Sequence, residues 1–280
     1  MTVSNLDPRL HAFRPDLADE SLKGIVEANA FVAAKPMRVS VPVAPILRSP
    51  QVDAVQTTQA LLGEDCLVFD TADGFCWVQL KTDGYVGYVE QRILNDDRAT
   101  LTHRVSVAST LAYPKPDLRS RPAVQLPFNA KVSVAEISGA FSQLSTGAFV
   151  FTIHLAPLET IAPDFVAVAE MFMHTPYLWG GKSIHGIDCS GLVQISLQAC
   201  GIKAPRDSDM QEKDLGRLVN DQDYRRGDLV FWPGHVGIMF DSKNILHANG
   251  HAMSTVIEPL SHAVQRSELT GKPVSSIKRL

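Results

Sequence analysis

The spacing of apolar positions along this chain changes character twice. Residues 1–38 are mostly polar and carry one short helical stretch, around Leu22–Phe31. From Val39 onward, apolar residues alternate or cluster in short β-branched runs: VSVPVAPILRSP, ALLGEDCLVFD, FCWVQL and GYVGYV. Arg48-Ser49-Pro50, Ala72-Asp73-Gly74 and Thr82-Asp83-Gly84 punctuate these runs, and short runs split by turn residues predict strands. Residues 39–97 therefore read as a small all-β barrel. A weaker copy follows. VSVASTLAYPKPDLRSRP (105–122) echoes VSVPVAPILRSP (39–50), and 126–150 echoes 61–89. Each copy runs strand, turn, strand, glycine turn, strand, so a second barrel is expected over 98–157, linked near Asn95–Leu101.

Past Pro157 the pattern changes again. Asp164–Met173 (DFVAVAEMFM) has helical periodicity with Asp164 as its N-cap. Thr175-Pro176-Tyr177-Leu178-Trp179-Gly180-Gly181 reads as a tight aromatic-glycine turn. A second helix begins after Asp188, runs through Leu192, Val193, Ile195 and Leu197, and stops at Gly201. Strands are predicted at 228–232, 235–240, 244–249 and 254–260. Residues 158–280 thus form a domain of α+β class, with a helix packed on an antiparallel sheet.

Composition narrows the function classes. The 280 residues are 45% hydrophobic and 20% charged, with a net charge of −4. No basic block stands out, so neither nucleic acid nor an anionic membrane is an expected partner. The first residues show no basic segment followed by an apolar one, and no window approaches the roughly 18 apolar residues of a membrane span. A cytoplasmic location is the expectation. Of the four cysteines, Cys189 and Cys200 lie eleven residues apart on one predicted helix. That separates them by about 16 Å, too far for a disulfide. Cys66 and Cys76 fall on neighbouring strands and could pair, but in a reducing compartment they are expected free and buried. No cysteine or histidine spacing resembles a zinc site, and no metal or organic cofactor is implied.

One position concentrates the chemistry. Asp188 is suited to cap the second helix, which puts Cys189 at the helix N-terminus. There the macrodipole and free amides favour the thiolate, so Cys189 is the candidate nucleophile. A thiolate needs a base, and the base needs a polar group to orient it. His235 opens one strand and His247 lies twelve residues on, in the next. A hairpin through Asp241-Ser242-Lys243 would bring the two rings together. His235 would then be the base and His247 its orienting partner.

The two β segments resemble bacterial SH3-like (SH3b) modules, through GEDCLVFD, GFCWVQL and DGYVGYV. In the second copy the Trp and the GYxGY run are missing. The motifs TPYLWGG, GIDCSGLVQ, APRDSDMQ, RRGDLVFW and GHVGIMF, in this order, resemble the NlpC/P60 family of papain-like cysteine peptidases. The resemblance implies a papain-like α+β catalytic domain preceded by two small SH3-like barrels. It implies a Cys189, His235, His247 triad, with Tyr177 supporting the oxyanion and Trp179 supporting packing. It further implies substrate contacts at Asp188, Ser190, Asp207, Ser208 and Tyr85, with Glu64 or Asp53 supplying a carboxylate from the first barrel.

The expected activity is endopeptidase cleavage of the γ-D-Glu–L-diamino acid bond in peptidoglycan stem peptides bearing a free N-terminal L-Ala. That activity would serve cell-wall peptide recycling. An amidase or acyltransferase on another γ-glutamyl or acyl substrate is the alternative enzyme. A non-catalytic peptidoglycan-binding protein is the alternative outside enzymes.

Overall fold

The computed structural model describes residues 6–97, 99–219 and 223–280. They form two compact units, 1–158 and 159–280.

The first unit is almost entirely β. Its N-terminal stretch holds β1 (Leu17–Asp19) paired in parallel with β2 (Ala30–Val32), joined through a 3-10 turn at Glu20–Leu22. The helix expected around Leu22–Phe31 does not form. Asp19 caps only that short turn, through the Ser21 N–H, and the chain then extends to pair with β1. Ala12 is buried with Phe69 and Trp77, and Leu17 and Val32 pack against them. The Arg14 guanidinium lies 4.4 Å from the Trp77 ring centroid and donates to Asp70 Oδ2 at 2.7 Å. The N-terminal stretch is therefore a cover for one aromatic face of the first barrel.

That barrel comprises β3 (Lys35–Val39), β4 (Val43–Leu47), β5 (Gln56–Leu61), β6 (Asp65–Ala72), β7 (Phe75–Leu80), β8 (Val86–Glu90) and β9 (Leu94–Asn95). Its sheet order is β5-β4-β8-β7-β6-β3-β9. Alternate residues turn inward, as the period-2 pattern requires, and Val39, Ile46, Val78, Leu80 and Val89 fill the core. Cys66 and Cys76 are buried there as free thiols.

The second copy contains β10 (His103–Val105), β11 (Ser109–Tyr113), β12 (Val124–Pro127), β13 (Lys131–Val132), β14 (Val134–Ser138), β15 (Phe141–Leu144), β16 (Phe149–Phe151) and β17 (Leu155–Pro157). A five-stranded sheet, β12-β11-β16-β15-β14, and a three-stranded one, β13-β10-β17, enclose Val105, Leu126, Val132 and Val150. The two copies meet where Lys131 N–H donates to Leu62 O at 2.8 Å. Gly63 stands at this joint with φ +79, and a Cβ there would fall 2.4 Å from Lys131 O.

The second unit holds α1 (Phe165–Glu170), β18 (Lys182–Ser183), β19 (Gly186–Ile187), α2 (Cys189–Ala199), α3 (Ser208–Asp214), β20 (Arg217–Leu218), β21 (Leu229–Trp232), β22 (His235–Met239), β23 (Asn244–Asn249), β24 (Ser254–Pro259), α4 (Leu260–Leu269) and β25 (Ser276–Arg279). The six-stranded sheet runs β20-β25-β21-β22-β23-β24, antiparallel throughout. Helix α2 packs on β22 and β23 and is buried on nearly every side. Leu192, Val193, Ile195 and Leu197 are each almost fully buried. Such side chains contribute roughly 1.5–3 kcal/mol apiece before ordering entropy, which fixes the helix firmly in the unit. Gly201, at φ +74, ends it in the left-handed conformation that L side chains resist.

Candidate active site

The start of α2 is held by a buried polar cluster. Asp188 Oδ1 accepts from the Gly191 N–H at 2.7 Å, which makes it the N-cap expected from the sequence. Its Oδ2 accepts from the Gly180 N–H at 2.7 Å, tying the aromatic-glycine turn to the helix. Gly191 permits that approach, since a Cβ there would fall 2.3 Å from Gly181 O. The Arg206 guanidinium completes the cluster. It donates to Asp188 Oδ2 at 2.7 Å, to Asp188 Oδ1 at 3.0 Å and to Ser190 Oγ at 2.9 Å. The two side chains are 1% and 9% exposed. Gln211, from α3, donates to Ser190 O at 2.9 Å.

Asp188 and Ser190 were expected to contact substrate. Here the Asp188 carboxylate is occupied by two backbone amides and a bidentate arginine, and its charge is balanced inside the protein. A substrate ammonium would find its acceptor positions already taken. Asp188 is thus a capping and ion-pair residue, and Ser190 is bonded into the same cluster.

Strands β22 and β23 bring the histidines together. His235 Nε2 lies 2.9 Å from His247 Nδ1. His247 Nε2 in turn lies 2.9 Å from Glu258 Oε1 and 2.9 Å from Asn249 Nδ2. Arg266, from α4, donates to Glu258 Oε2 at 2.7 Å and also to Oε1. A row of hydrogen bonds therefore leads from His235 outward to Arg266. The Cys189 sulfur meets the same strand, because the Val236 and Ser190 N–H groups both reach it. Val236 follows His235 directly, so nucleophile and base candidates converge where α2 begins and β22 starts. Tyr177 is close enough that Cys189 and Asp188 both add to the burial that raises its phenol pKa.

The electrostatics differ from the expected ones. Burial pushes the Cys189 thiol up to about 12, and the Asp188 charge adds to the rise. The Val236 and Ser190 amides and Arg206 oppose the rise without reversing it. The lowered thiol pKa expected from the helix N-terminus is therefore corrected. The helix-end amides are present, but desolvation of a cysteine only 6% exposed outweighs them. His235 is pushed down to about 3, by burial first and then by His247 and Arg266, with Glu258 opposing. Thiol and imidazole both rest uncharged. Moving the proton from sulfur to ring creates both charges together, and their attraction offsets part of the desolvation of each.

Other expected site residues lie elsewhere or play other parts. Tyr85 is 4% exposed and belongs to the core of the first barrel, so its side chain is structural. Glu64 is also buried there; its Oε2 accepts from Leu61 N–H, whereas Oε1 has no hydrogen-bond partner among the described residues. Asp53 is exposed. Asp207 stands at the N-cap position of α3 without a side-chain capping bond, and Ser208 opens that helix half-buried. The adjacent Arg206 reaches the Cys189 helix. Trp179, expected to support packing, is 60% exposed. Arg206, Glu258 and Arg266 were not singled out from the sequence. Among the described residues no group of three or more His, Cys, Asp or Glu is arranged to hold a metal ion.

The sequence profile of the NlpC/P60 family matches residues 174–272, which span α2, β22 and β23 with their cysteine and histidines. The chain carries an NlpC/P60 cysteine-peptidase domain. A bacterial dipeptidyl-peptidase SH3 domain profile matches residues 46–94, within the first barrel. The NlpC/P60 domain is thus preceded by an SH3-like all-β region. A γ-D-glutamyl-L-lysine dipeptidyl-peptidase from Bacillus subtilis is 28% identical over 241 residues, covering 78% of this chain and 80% of that protein. The protein of the same name from Bacillus cereus is 26% identical over 239 residues, covering 73% of this chain and 70% of its own. A solved NlpC/P60 family protein from Bacillus cereus superposes with a TM-score of 0.75 at 20% identity, covering 88% of this chain and 99% of that one. This last likeness is one of fold.

Proposed function

We propose that this NlpC/P60 peptidase hydrolyses the γ-D-Glu–L-diamino acid bond of peptidoglycan stem peptides that carry a free N-terminal L-Ala. The observation that carries the reading is the 2.9 Å contact between His235 and His247 beside the strand amide that reaches the Cys189 sulfur. The two Bacillus relatives named for γ-D-glutamyl-L-lysine peptides support the substrate class.

In this reading Cys189 Sγ attacks the γ-carbonyl carbon of D-Glu while His235 takes the thiol proton. The carbonyl oxygen gains negative charge, and helix-end amides with the Tyr177 hydroxyl stabilise it. Collapse of the tetrahedral intermediate breaks the C–N bond, and the His235 proton passes to the leaving amine. A thioester remains. Water, deprotonated by His235, hydrolyses it and restores the thiol. Because both groups begin uncharged, the ion pair forms on attack rather than before it.

The same proposal puts the enzyme in the cytoplasm, where imported wall peptides with free N-termini would meet it. The buried Cys66 and Cys76, both free of disulfides, suit a reducing compartment. The test is mass spectrometry of synthetic tri- and tetrapeptides, with free and with acetylated N-termini. Cleavage after γ-D-Glu in the free peptides only, abolished in Cys189→Ala, is expected. Equal cleavage of blocked peptides overturns the substrate assignment and favours a general amidase. Residual turnover by Cys189→Ala overturns the nucleophile. Cell fractionation with an antibody to the chain tests the compartment.

A further inference from the structure

His235 can accept the Cys189 proton only if one ring nitrogen is bare, and the hydrogen bonds around His247 decide which one. His235 Nε2 is engaged with His247 Nδ1. The nitrogen left for the thiol proton is therefore His235 Nδ1. It is bare only when the His235 proton sits on Nε2 and His247 Nδ1 accepts it. That in turn requires the His247 proton to sit on Nε2.

Two groups compete at His247 Nε2, each at 2.9 Å. Glu258 Oε1 is an acceptor and calls for an N–H. Asn249 Nδ2 is a donor and calls for a lone pair. The amide cannot turn over freely to relieve the conflict, because Asn249 Oδ1 already accepts from the Ala252 N–H at 2.7 Å. If Asn249 prevailed, both imidazoles would reverse. His247 would donate from Nδ1 to His235 Nε2, and the His235 proton would move to Nδ1, where the cysteine proton has to arrive. Arg266 decides the contest. It bonds both oxygens of Glu258, and so keeps an ionised acceptor aimed at His247. The Glu258 side chain is 17% exposed and that of His247 2%, so little water intervenes.

We propose that Glu258, clamped by Arg266, is a positioning residue that fixes the tautomer of both histidines and leaves His235 Nδ1 bare as the base. This rests on the catalytic reading above. Glu258 touches neither substrate nor sulfur in this account and acts through two rings. The logic parallels a carboxylate orienting one catalytic imidazole, extended by one ring and opposed by an amide. The strand register makes the reach possible. His247 faces Val256 and Ile245 faces Glu258, so Glu258 is the diagonal neighbour of His247 on the same face.

The experiment is 15N NMR of the histidine side chains in the full chain, compared with kinetics of the same variants. In the native protein both His247 and His235 should be protonated on Nε2. Glu258→Gln, nearly isosteric, leaves the Gln oxygen to Arg266 and turns its NH2 toward His247. Both tautomers should then reverse. The kcat should fall on the order of 10²–10⁴-fold, the range a misplaced catalytic proton costs, with KM little changed. Adding Asn249→Asp puts an acceptor on the other side of Nε2 and should restore the native tautomer and most of kcat.

The proposal is overturned if native His235 carries its proton on Nδ1. It is also overturned if Glu258→Gln loses activity with both tautomers unchanged, or if Asn249→Asp fails to restore them. The tautomers can be read equally in Cys189→Ala. Native tautomers alongside an active Cys189→Ala would sink the catalytic reading and leave the tautomer assignment standing.

Discussion

Arg206 offers the sharpest quantitative test of how the site is built. Arg206→Ala removes a bidentate partner from Asp188 and a donor from Ser190, in a place almost closed to water. The Asp188 charge is then left with the Gly180 and Gly191 amides and a long 3.4 Å bond from the Ser190 hydroxyl. Breaking a buried pair from one side costs about 3–5 kcal/mol, because the surviving charge stays desolvated. A change of 1 kcal/mol moves Tm by roughly 2–8 °C over the range of domain sizes that brackets this unit. The smallest expected fall in Tm is therefore about 6 °C, read as the melting of the NlpC/P60 unit by circular dichroism or calorimetry. Arg206→Lys should fall between, since one ammonium cannot span both carboxylate oxygens. Asp188→Asn with Arg206→Met removes both charges at once and should be less destabilised than Arg206→Ala alone. A Tm within about 2 °C of native for Arg206→Ala, less than 1 kcal/mol on that scale, refutes the reasoning. So does a double variant that melts no higher than the single one.

The same structure sets further expected outcomes. Because burial holds the Cys189 thiol near 12, iodoacetamide alkylation of the resting enzyme should accelerate steadily as pH rises through 9; a plateau already reached near pH 6 would contradict it. His235 has a folded pKa of about 3 against 6.5 unfolded, so its neutral ring favours the fold above pH 6.5 and that favour is lost as pH falls toward 3. Glu258, near 2 against 4.5, adds a second loss below pH 4.5. The Tm of the NlpC/P60 unit should accordingly drop across this acid range, and His235→Gln should flatten its upper part. Gly63→Ala should destabilise the first unit by about 1–3 kcal/mol in urea titration, since it forces a β-carbon onto Lys131 O and a left-handed backbone onto alanine; a neutral result would show that the joint can open without loss.

Much of this architecture was legible because it depends on local pattern. Asp188 before an apolar helical run, and Gly201 after it, bounded α2 without any knowledge of its neighbours. His235 and His247 could be paired from two strand patterns and a three-residue turn, and they meet at 2.9 Å. What escaped depends on distant chain segments. Glu258 joins His247 only through the β23–β24 register, and Arg266 joins Glu258 from the helix beyond. The alternation in Ser254–Pro259 was the available hint, since it sets Glu258 on the face of Val256, opposite His247. Arg206 sits one residue before the Asp207-Ser208 pair of the family motif, and no spacing rule points it back across eighteen residues to Asp188. The thiol pKa was misread for a related reason. Sequence reveals a helix end, but the depth at which that end is buried is a property of the packed unit. Tyr85 differs because a tyrosine leading into a strand of alternating pattern can face either way, and here it faces in.

The packing of Ala12, Leu17, Val32 and Arg14 over Trp77 has a consequence for what the first barrel can recruit. An indole already roofed by its own chain offers no vacant slot on that side for an extended, proline-rich visitor of the kind that docks on open aromatic grooves. Stripping away the roof would leave Phe69 and Trp77 wet, and the shortened molecule would acquire an adhesive spot that the roofed one conceals.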